Sequence, residues 1–410
     1  AKIILAHVER DADLAASAEV PKLPLGVIRY GAGEGDDSFE AMLEKEPPEP
    51  SLERPVQDDP CFIFFTSGST GKPKGVTHTY ATLGWILRTR GMSMGMVSDD
   101  VVLGASSMSH MGSSMTGLAA LAVGAKILVA RTFDPDEVIA LTRDHKPTVI
   151  LMLPAALFRV VGDKRAKRED FESLRYCVAG GDKVPAELER RFAELVGIDI
   201  NEGYGMSETS IANINPPDKP NKLGSIGPPN YGFIESIRGE DGNEVGPGVE
   251  GRLWIKSPCV TVGYWDNPKV TAETIIDGWL DTGDVMRADE DGYLHFCGRK
   301  KQIIVHDGSN ISPQEVEETL IEHPAVSAAG VVGVHDRVHG ENVWAYVTLD
   351  DTVEPPPVQE LIDFSRARVG YKAPEVIEFL DQMPLNATGK VDRATLKKWA
   401  AKRHNAEIHP

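Results

Sequence analysis

Short apolar runs alternate with longer stretches of helical spacing over much of this chain. Cys61-Phe62-Ile63-Phe64-Phe65, Lys126–Ala130, Thr148–Leu153 and Tyr176–Ala179 read as strands, and Pro135–His145 and Pro185–Val196 as helices. Their alternation predicts α/β layers with mostly parallel strands. Residues 1–30 read as strand, polar helix, strand, and the opening AKIILAHV has the texture of an interior strand. Residues 31–60 are acidic and proline-rich, a surface connection. From about 230 to 298 short strands and turns take over, with hairpin signals at Asp241-Gly242 and Asp291-Gly292. The pattern resets at 299 and then reads β–α–β–β–α with a mobile tail. Ser312-Pro313-Gln314-Glu315 predicts a helix start with Ser312 as N-cap, Pro313 at the first turn and Glu315 closing a capping box. The expected architecture is a large α/β N-terminal domain of several subdomains over 1–298, including a β-rich subdomain at about 230–298. A small α+β C-terminal domain follows over 299–410.

Composition narrows the function classes. The chain has 410 residues, 41% apolar and 26% charged, ordinary values for a globular protein with a sizeable core. A formal charge of −19 argues against nucleic acid as a partner. The cysteines Cys61, Cys177, Cys259 and Cys297 form no CxxC or Cys/His cluster, so neither a zinc site nor a disulfide framework is indicated, and a cytoplasmic location fits. The longest apolar run, Gly117 to Ala130, is broken by Lys126 and falls short of the roughly 20 residues a membrane span needs.

The most informative stretch is FFTSGSTGKPKG, Phe64 to Gly75. Thr66, Ser67, Ser69 and Thr70 crowd around Gly68 and Gly71, and Lys72 and Lys74 follow. Hydroxyls, bare backbone N–H groups and cations suit a polyphosphate, and the glycines let the backbone approach it. The preceding apolar run reads as a buried strand holding the loop rigidly. Neither GxxxxGK[ST] nor GxGxxG can be placed here. Further on, Asn201-Glu202-Gly203-Tyr204-Gly205-Met206-Ser207-Glu208-Thr209 sets a tyrosine between glycines, presenting a face for a base, with a carboxylate of the kind Mg²⁺ takes beside phosphates. By itself the same segment serves equally as a tight turn with a packed tyrosine.

The loop resembles the phosphate-binding loop of the adenylate-forming, AMP-binding superfamily, which includes acyl- and aryl-CoA ligases. Other stretches extend the resemblance in order along residues 61 to about 395. EGYGMSET is similar to the family's YGxTE motif. The resemblance implies that Tyr204 stacks on adenine, Ser207 meets the α-phosphate, Glu208 holds Mg²⁺ and Glu202 lies at the adenine amino group. Ala179-Gly180-Gly181 resembles the loop on the other side of the base. Trp279-Leu280-Asp281-Thr282-Gly283-Asp284 is close to the ribose motif, which implies Asp284 and Arg299 as ribose contacts. Lys301 falls at the family's hinge and Gly308 in the loop brought against CoA. Gly389-Lys390 matches the catalytic lysine, whose cation bridges substrate carboxylate and α-phosphate. His110 stands where an aromatic or histidine lines the acyl pocket. Alone it reads as readily as a packed histidine.

What the resemblance implies is an ATP-dependent acyl-CoA ligase using Mg²⁺ and CoA, with a small-molecule carboxylic acid as substrate; a homodimer is one assembly compatible with the sequence, which does not itself set the oligomeric state. Met- and Ser-rich segments near His110 point to a medium- or long-chain fatty acid, with an aryl acid of benzoate or cinnamate type as the alternative. The chain opens on Ala1 close before the loop, so a missing N-terminal segment is expected, and with it a third reading: a nucleotide-binding fragment without turnover.

Overall fold

The protein is described here by a computed structural model covering residues 2–31, 38–45, 54–66, 73–105, 107–131, 134–219, 221–299, 302–307, 309–336, 338–350, 353–386 and 390–408. It divides into two compact units, residues 1–56 and 57–410.

In the first unit the strands Ile4–His7 and Val27–Tyr30 pair in parallel, with the helix Asp11–Ala16 between them in sequence. The expected interior character of the opening strand is not observed. It has one partner among the described residues, and Leu5 is 52% exposed.

The second unit is built around a six-stranded sheet in the order Ser210–Ile214, Ile200–Met206, Tyr176–Gly180, Val149–Met152, Val101–Ala105, Lys126–Val129. All neighbours are parallel except the first pair. Helices cover the sheet, so Val149–Met152 is buried at every position, which is why a central parallel strand reads as an unbroken apolar run. The helix Ala186–Val196 shows how one such face forms. Leu188, Phe192 and Val196 recur at a spacing of four, pack into one core cluster with Leu157 and Phe171, and the helix stops at Gly197 in the left-handed region, φ 88°.

A three-stranded sheet runs Gly263–Tyr264, Lys74–Thr79, Pro60–Thr66. The expected burial of the apolar run before Ser67 holds only in part: Pro60–Thr66 is an edge strand, with Phe64 buried and Phe65 69% exposed. The β-rich region holds the antiparallel strands Ile234–Arg238, Glu250–Lys256, Trp279–Ala288 and Leu294–Arg299. Asp291-Gly292 does turn the last hairpin, with Asp289 Oδ1 accepting the Asp291 N–H and Gly292 at φ 80°. The C-terminal part is a mixed sheet, ordered Ser309–Ile311, Ile304–His306, Gly340–Leu349, Val326–Asp336, with Val376–Phe379 pairing parallel to Gly340–Leu349. The large α/β part followed by a smaller α+β part matches the expected fold class.

The helix Pro313–Ile321 begins at the expected residue, without the expected capping box. Ser312 Oγ donates instead to Gln314 Oε1, and Glu315 is drawn away to Lys372 Nζ at 2.7 and 2.8 Å. No helix among the described residues is long and apolar enough to cross a membrane.

Phe192 is fully buried in its cluster. Phe192→Ala should therefore cost about 3–5 kcal/mol of unfolding free energy in a denaturant titration; a loss under about 1 kcal/mol would mean that this helix face is not part of the core.

Candidate active site

The site is assembled where strand ends meet. Gly180 closes the strand Tyr176–Gly180 against Gly203 of the next strand, and a Cβ on Gly180 would stand 2.3 Å from the Gly203 carbonyl oxygen. Only glycine fits. Gly205 is held as closely, with 2.1 Å to the Ser210 oxygen. Gly181 takes φ 88°, turning the chain away from the sheet, and Lys390 reaches this turn: its Nζ lies 3.9 Å from where a Gly181 Cβ would be. Burial pulls the Lys390 ammonium below its ordinary pKa, while the charge of Asp182 works in the opposite direction.

Tyr204, Asp284 and Arg299 form one cluster. Asp284 and Arg299 face each other across the antiparallel pair Trp279–Ala288 and Leu294–Arg299. Arg299 donates to Asp284 from Nε at 2.6 Å and from the terminal nitrogen at 3.2 Å. The Tyr204 hydroxyl donates to Asp284 Oδ2 at 2.7 Å. Asp284 is 1% exposed, so this carboxylate depends on its three donors. Its hydrogen bond outweighs burial and raises the Arg299 pKa further. The open aromatic face expected of Tyr204 is not there: the ring is 9% exposed and its hydroxyl is committed, with its pKa pushed far up by burial first and Asp284 second.

Glu208 is buried, and its Oε1 accepts from the Tyr264 hydroxyl at 2.8 Å. Burial raises its pKa, opposed by that hydrogen bond. The adjacent Ser207 carbonyl accepts from His78 Nε2 at 2.8 Å, which fixes the proton on that nitrogen, while Nδ1 faces Thr82 Oγ1 at 3.3 Å. Glu202 is 3% exposed: Oε1 accepts the Val184 N–H at 3.2 Å, and Oε2 has no hydrogen-bond partner among the described residues. Burial lifts its pKa to about 8. His110 occupies the N-cap of the helix Met111–Ala122, where its carbonyl accepts from Ser114.

Thr66 ends its strand opposite Lys74. Ser67, Gly68, Ser69, Thr70, Gly71, Lys72, Lys301 and Gly308 lie outside the described residues. The structure thus gathers Gly180, Gly181, Lys390, Asp284, Arg299 and Tyr204 in one neighbourhood, with Glu208 coupled electrostatically to Arg299 and Asp284.

Three contributors escaped the sequence reading. His78 and Tyr264 brace Ser207 and Glu208 from the three-stranded sheet, and the one available signal was a histidine inside an otherwise buried strand. Arg90 is wholly buried and donates to Gly112 O, Thr116 Oγ1 and Ser210 Oγ at 2.9, 2.5 and 2.8 Å. It ties the start of the His110 helix to Ser210, which sits at φ 65° just after Glu208. Burial brings its pKa down to about 9.

The donor set fits a nucleotide carrying a hard divalent cation: an orphaned buried carboxyl oxygen at Glu202, a glycine-only cradle at Gly180 and Gly205, and the Glu208 carboxylate. Comparison with known proteins identifies the family. Residues 1–265 match the family model "AMP-binding enzyme" and residues 315–390 match "AMP-binding enzyme C-terminal domain". A feruloyl-CoA synthase of an Amycolatopsis species is 33% identical over 400 residues, 96% of this chain and 78% of that protein. A long-chain-fatty-acid–CoA ligase of Bacillus subtilis (strain 168) is 34% identical over 358 residues, 85% of this chain and 63% of that protein. The crystal structure of an anthranilate CoA ligase in complex with anthranoyl-AMP superposes with a TM-score of 0.89 at 26% identity, covering 99% of this chain and 79% of that one.

The buried Glu202 generates a pH dependence. Its folded pKa of about 8 lies above the carboxyl's ordinary 4.5, so the folded state holds the proton more tightly. Stability therefore falls as pH rises from 4.5 toward 8, by at most about 1.4 kcal/mol per pH unit. Glu202→Gln should flatten that fall, stabilising the ligand-free protein at pH 8 and leaving it nearly unchanged at pH 5 in thermal melts; equal shifts at both would remove Glu202 as the titrating group.

Proposed function

The chain belongs to the AMP-binding enzyme family, and from that premise we propose that it is an ATP-dependent acid–thiol ligase that joins a carboxylic acid to CoA. In this reading a carboxylate oxygen attacks the α-phosphorus of ATP, pyrophosphate leaves, and an acyl-adenylate forms. The CoA sulfur then attacks the acyl carbon and AMP departs. The observation that carries the reading is Lys390 lying against the Gly181 turn, in the electrostatic neighbourhood of Asp284 and Arg299, with residues from both matched regions converging there.

Roles follow from chemistry. Two anions must meet in the first step, and the Lys390 ammonium offsets their repulsion. Asp284 and Arg299 supply paired acceptor and donor groups for ribose hydroxyls. Tyr204, Gly180, Gly181, Gly203, Gly205 and Glu202 frame the base, and Ser207 with residues 66–72 holds the phosphates. Glu208 would hold Mg²⁺, which neutralises phosphate charge when bound. His110 lines the acid's pocket. The AMP-binding part spans 1–298 and the C-terminal part 299–410, turning about Lys301 with Gly308 on the CoA side. A homodimer in the cytoplasm completes the proposal; the four cysteines are unpaired, as a reducing compartment favours.

For the acid, an aromatic carboxylate is now the better-supported class. The feruloyl-CoA synthase aligns over nearly the whole chain. Met111 and Met115, part of the basis for expecting a fatty chain, pack into a core cluster with Phe64, Ile86 and Tyr204. A fatty acid is the second reading, supported by the Bacillus ligase.

Carboxylate-dependent pyrophosphate release from Mg·ATP, measured over cinnamate-, benzoate- and fatty-acid panels, should be greatest with an aryl acid and yield AMP and thioester once CoA is added. No release with any acid would overturn the ligase reading. Lys390→Ala should slow pyrophosphate release about 10²–10³-fold, yet spare thioester formation from supplied acyl-adenylate; equal loss in both half-reactions would remove it from the adenylation step. Glu208→Gln should raise the Mg²⁺ concentration needed for half-maximal release, and an unchanged requirement would exclude it as a ligand.

A further inference from the structure

A second cluster of ligating side chains lies in the C-terminal part, in the segment just before Gly308, and uses none of the side chains assigned above to nucleotide or acid. The strands Ile304–His306 and Gly340–Leu349 meet at His306 and Gly340, and the Asp307 N–H donates to the His339 carbonyl at 2.9 Å. Asp307 sits at φ 49°, a left-handed turn that brings its carboxylate back over this junction. The other turn is fixed by Asp336, whose Oδ1 accepts the N–H groups of Val338 and His339, each at 2.8 Å.

These turns converge three donors. His306 Nδ1 donates to the Glu341 carbonyl at 2.7 Å. A carbonyl can only accept, so a proton is on Nδ1, and Nε2 faces Asp307 Oδ2 at 3.7 Å. His339 Nδ1 is 2.9 Å from Asp307 Oδ1. One ligand atom from each residue falls within 4.8 Å of the others. The imidazole centroids are 5.1 Å apart. The two rings are stacked, with their planes 17° apart. The His306 side chain is only 12% exposed and oriented by a backbone carbonyl, as ligating histidines commonly are, while Asp307 and His339 are open to solvent. The Glu375 carboxylate, 3.6 Å from His306 Nδ1, adds a second negative charge behind the pair.

We propose that His306, Asp307 and His339 form a binding site for a borderline divalent cation of the zinc class, with water completing a tetrahedral shell. Two imidazoles and one carboxylate select such an ion over Mg²⁺ or Ca²⁺, which take oxygen ligands. The ion staples the Ile304–His306 strand end to the turn before Gly340. The proposal rests on these three side chains and not on the ligase reading.

Equilibrium dialysis of the chelator-stripped full chain against ZnCl₂, with MgCl₂ as control, tests this. The wild type should take up one more zinc than the double variant His306→Gln/His339→Gln, and Asp307→Asn should bind that ion about tenfold or more weakly. Zinc should raise the melting temperature of the wild type and leave that of the double variant unmoved. Equal zinc uptake and equal melting shifts in both proteins would overturn the site. Should the double variant fail to fold, Co²⁺ added to the wild type decides: intense visible bands of a tetrahedral ion support the site, and the weak spectrum of an octahedral ion overturns it.

Discussion

A single buried carboxylate constrains the site. Asp284 has almost no water around it, and its charge is held by Arg299 and by the Tyr204 hydroxyl. Removing one partner from a buried charge costs about 3–5 kcal/mol, because the remaining charge is stranded. The register that sets Asp284 opposite Arg299 is therefore firmly specified, and so is the position of Tyr204, which belongs to the six-stranded sheet. One carboxylate thus joins two sheets.

Around that anchor the protein concentrates acids that resist ionisation. Burial raises the pKa of Glu202, Glu208, Glu317 and Glu318. Cations answer the last two: Arg393 reaches Glu317 at 2.5 Å, and Lys183, in the loop after Gly181, reaches Glu318 at 2.5 Å. The second pair links that loop to the helix Pro313–Ile321, and the first ties Arg393, three residues after Lys390, to the same helix. Among the described residues no cation hydrogen-bonds Glu202, and the Val184 N–H and the more distant Lys183 charge offset its burial only in part.

The sequence was most legible where hydrophobic period or small residues mark the backbone geometry. Runs such as Val149–Met152 and helices such as Pro135–His145 follow from period alone, and the glycine pairs at 180–181 and 203–205 mark close backbone approach. Much of the site depends on contacts over long separations. Tyr204 and Asp284 are 80 residues apart, and His78 and Ser207 are 129 apart. No local rule announces that His78 braces a carbonyl or that Arg90 is buried on neutral oxygens. The capping box failed for a related reason: Lys372, distant in sequence, competes for Glu315 more strongly than the helix end does.

The contact between Gly180 and Gly203 has a consequence for how such a chain can diverge. Every other amino acid brings a Cβ, and at Gly180 that atom would fall 2.3 Å from a backbone oxygen of the adjoining strand, which no side-chain rearrangement can relieve. Drift is closed at this position from its first step. Change around this junction must therefore fall on the surrounding side chains, over a backbone that stays the same.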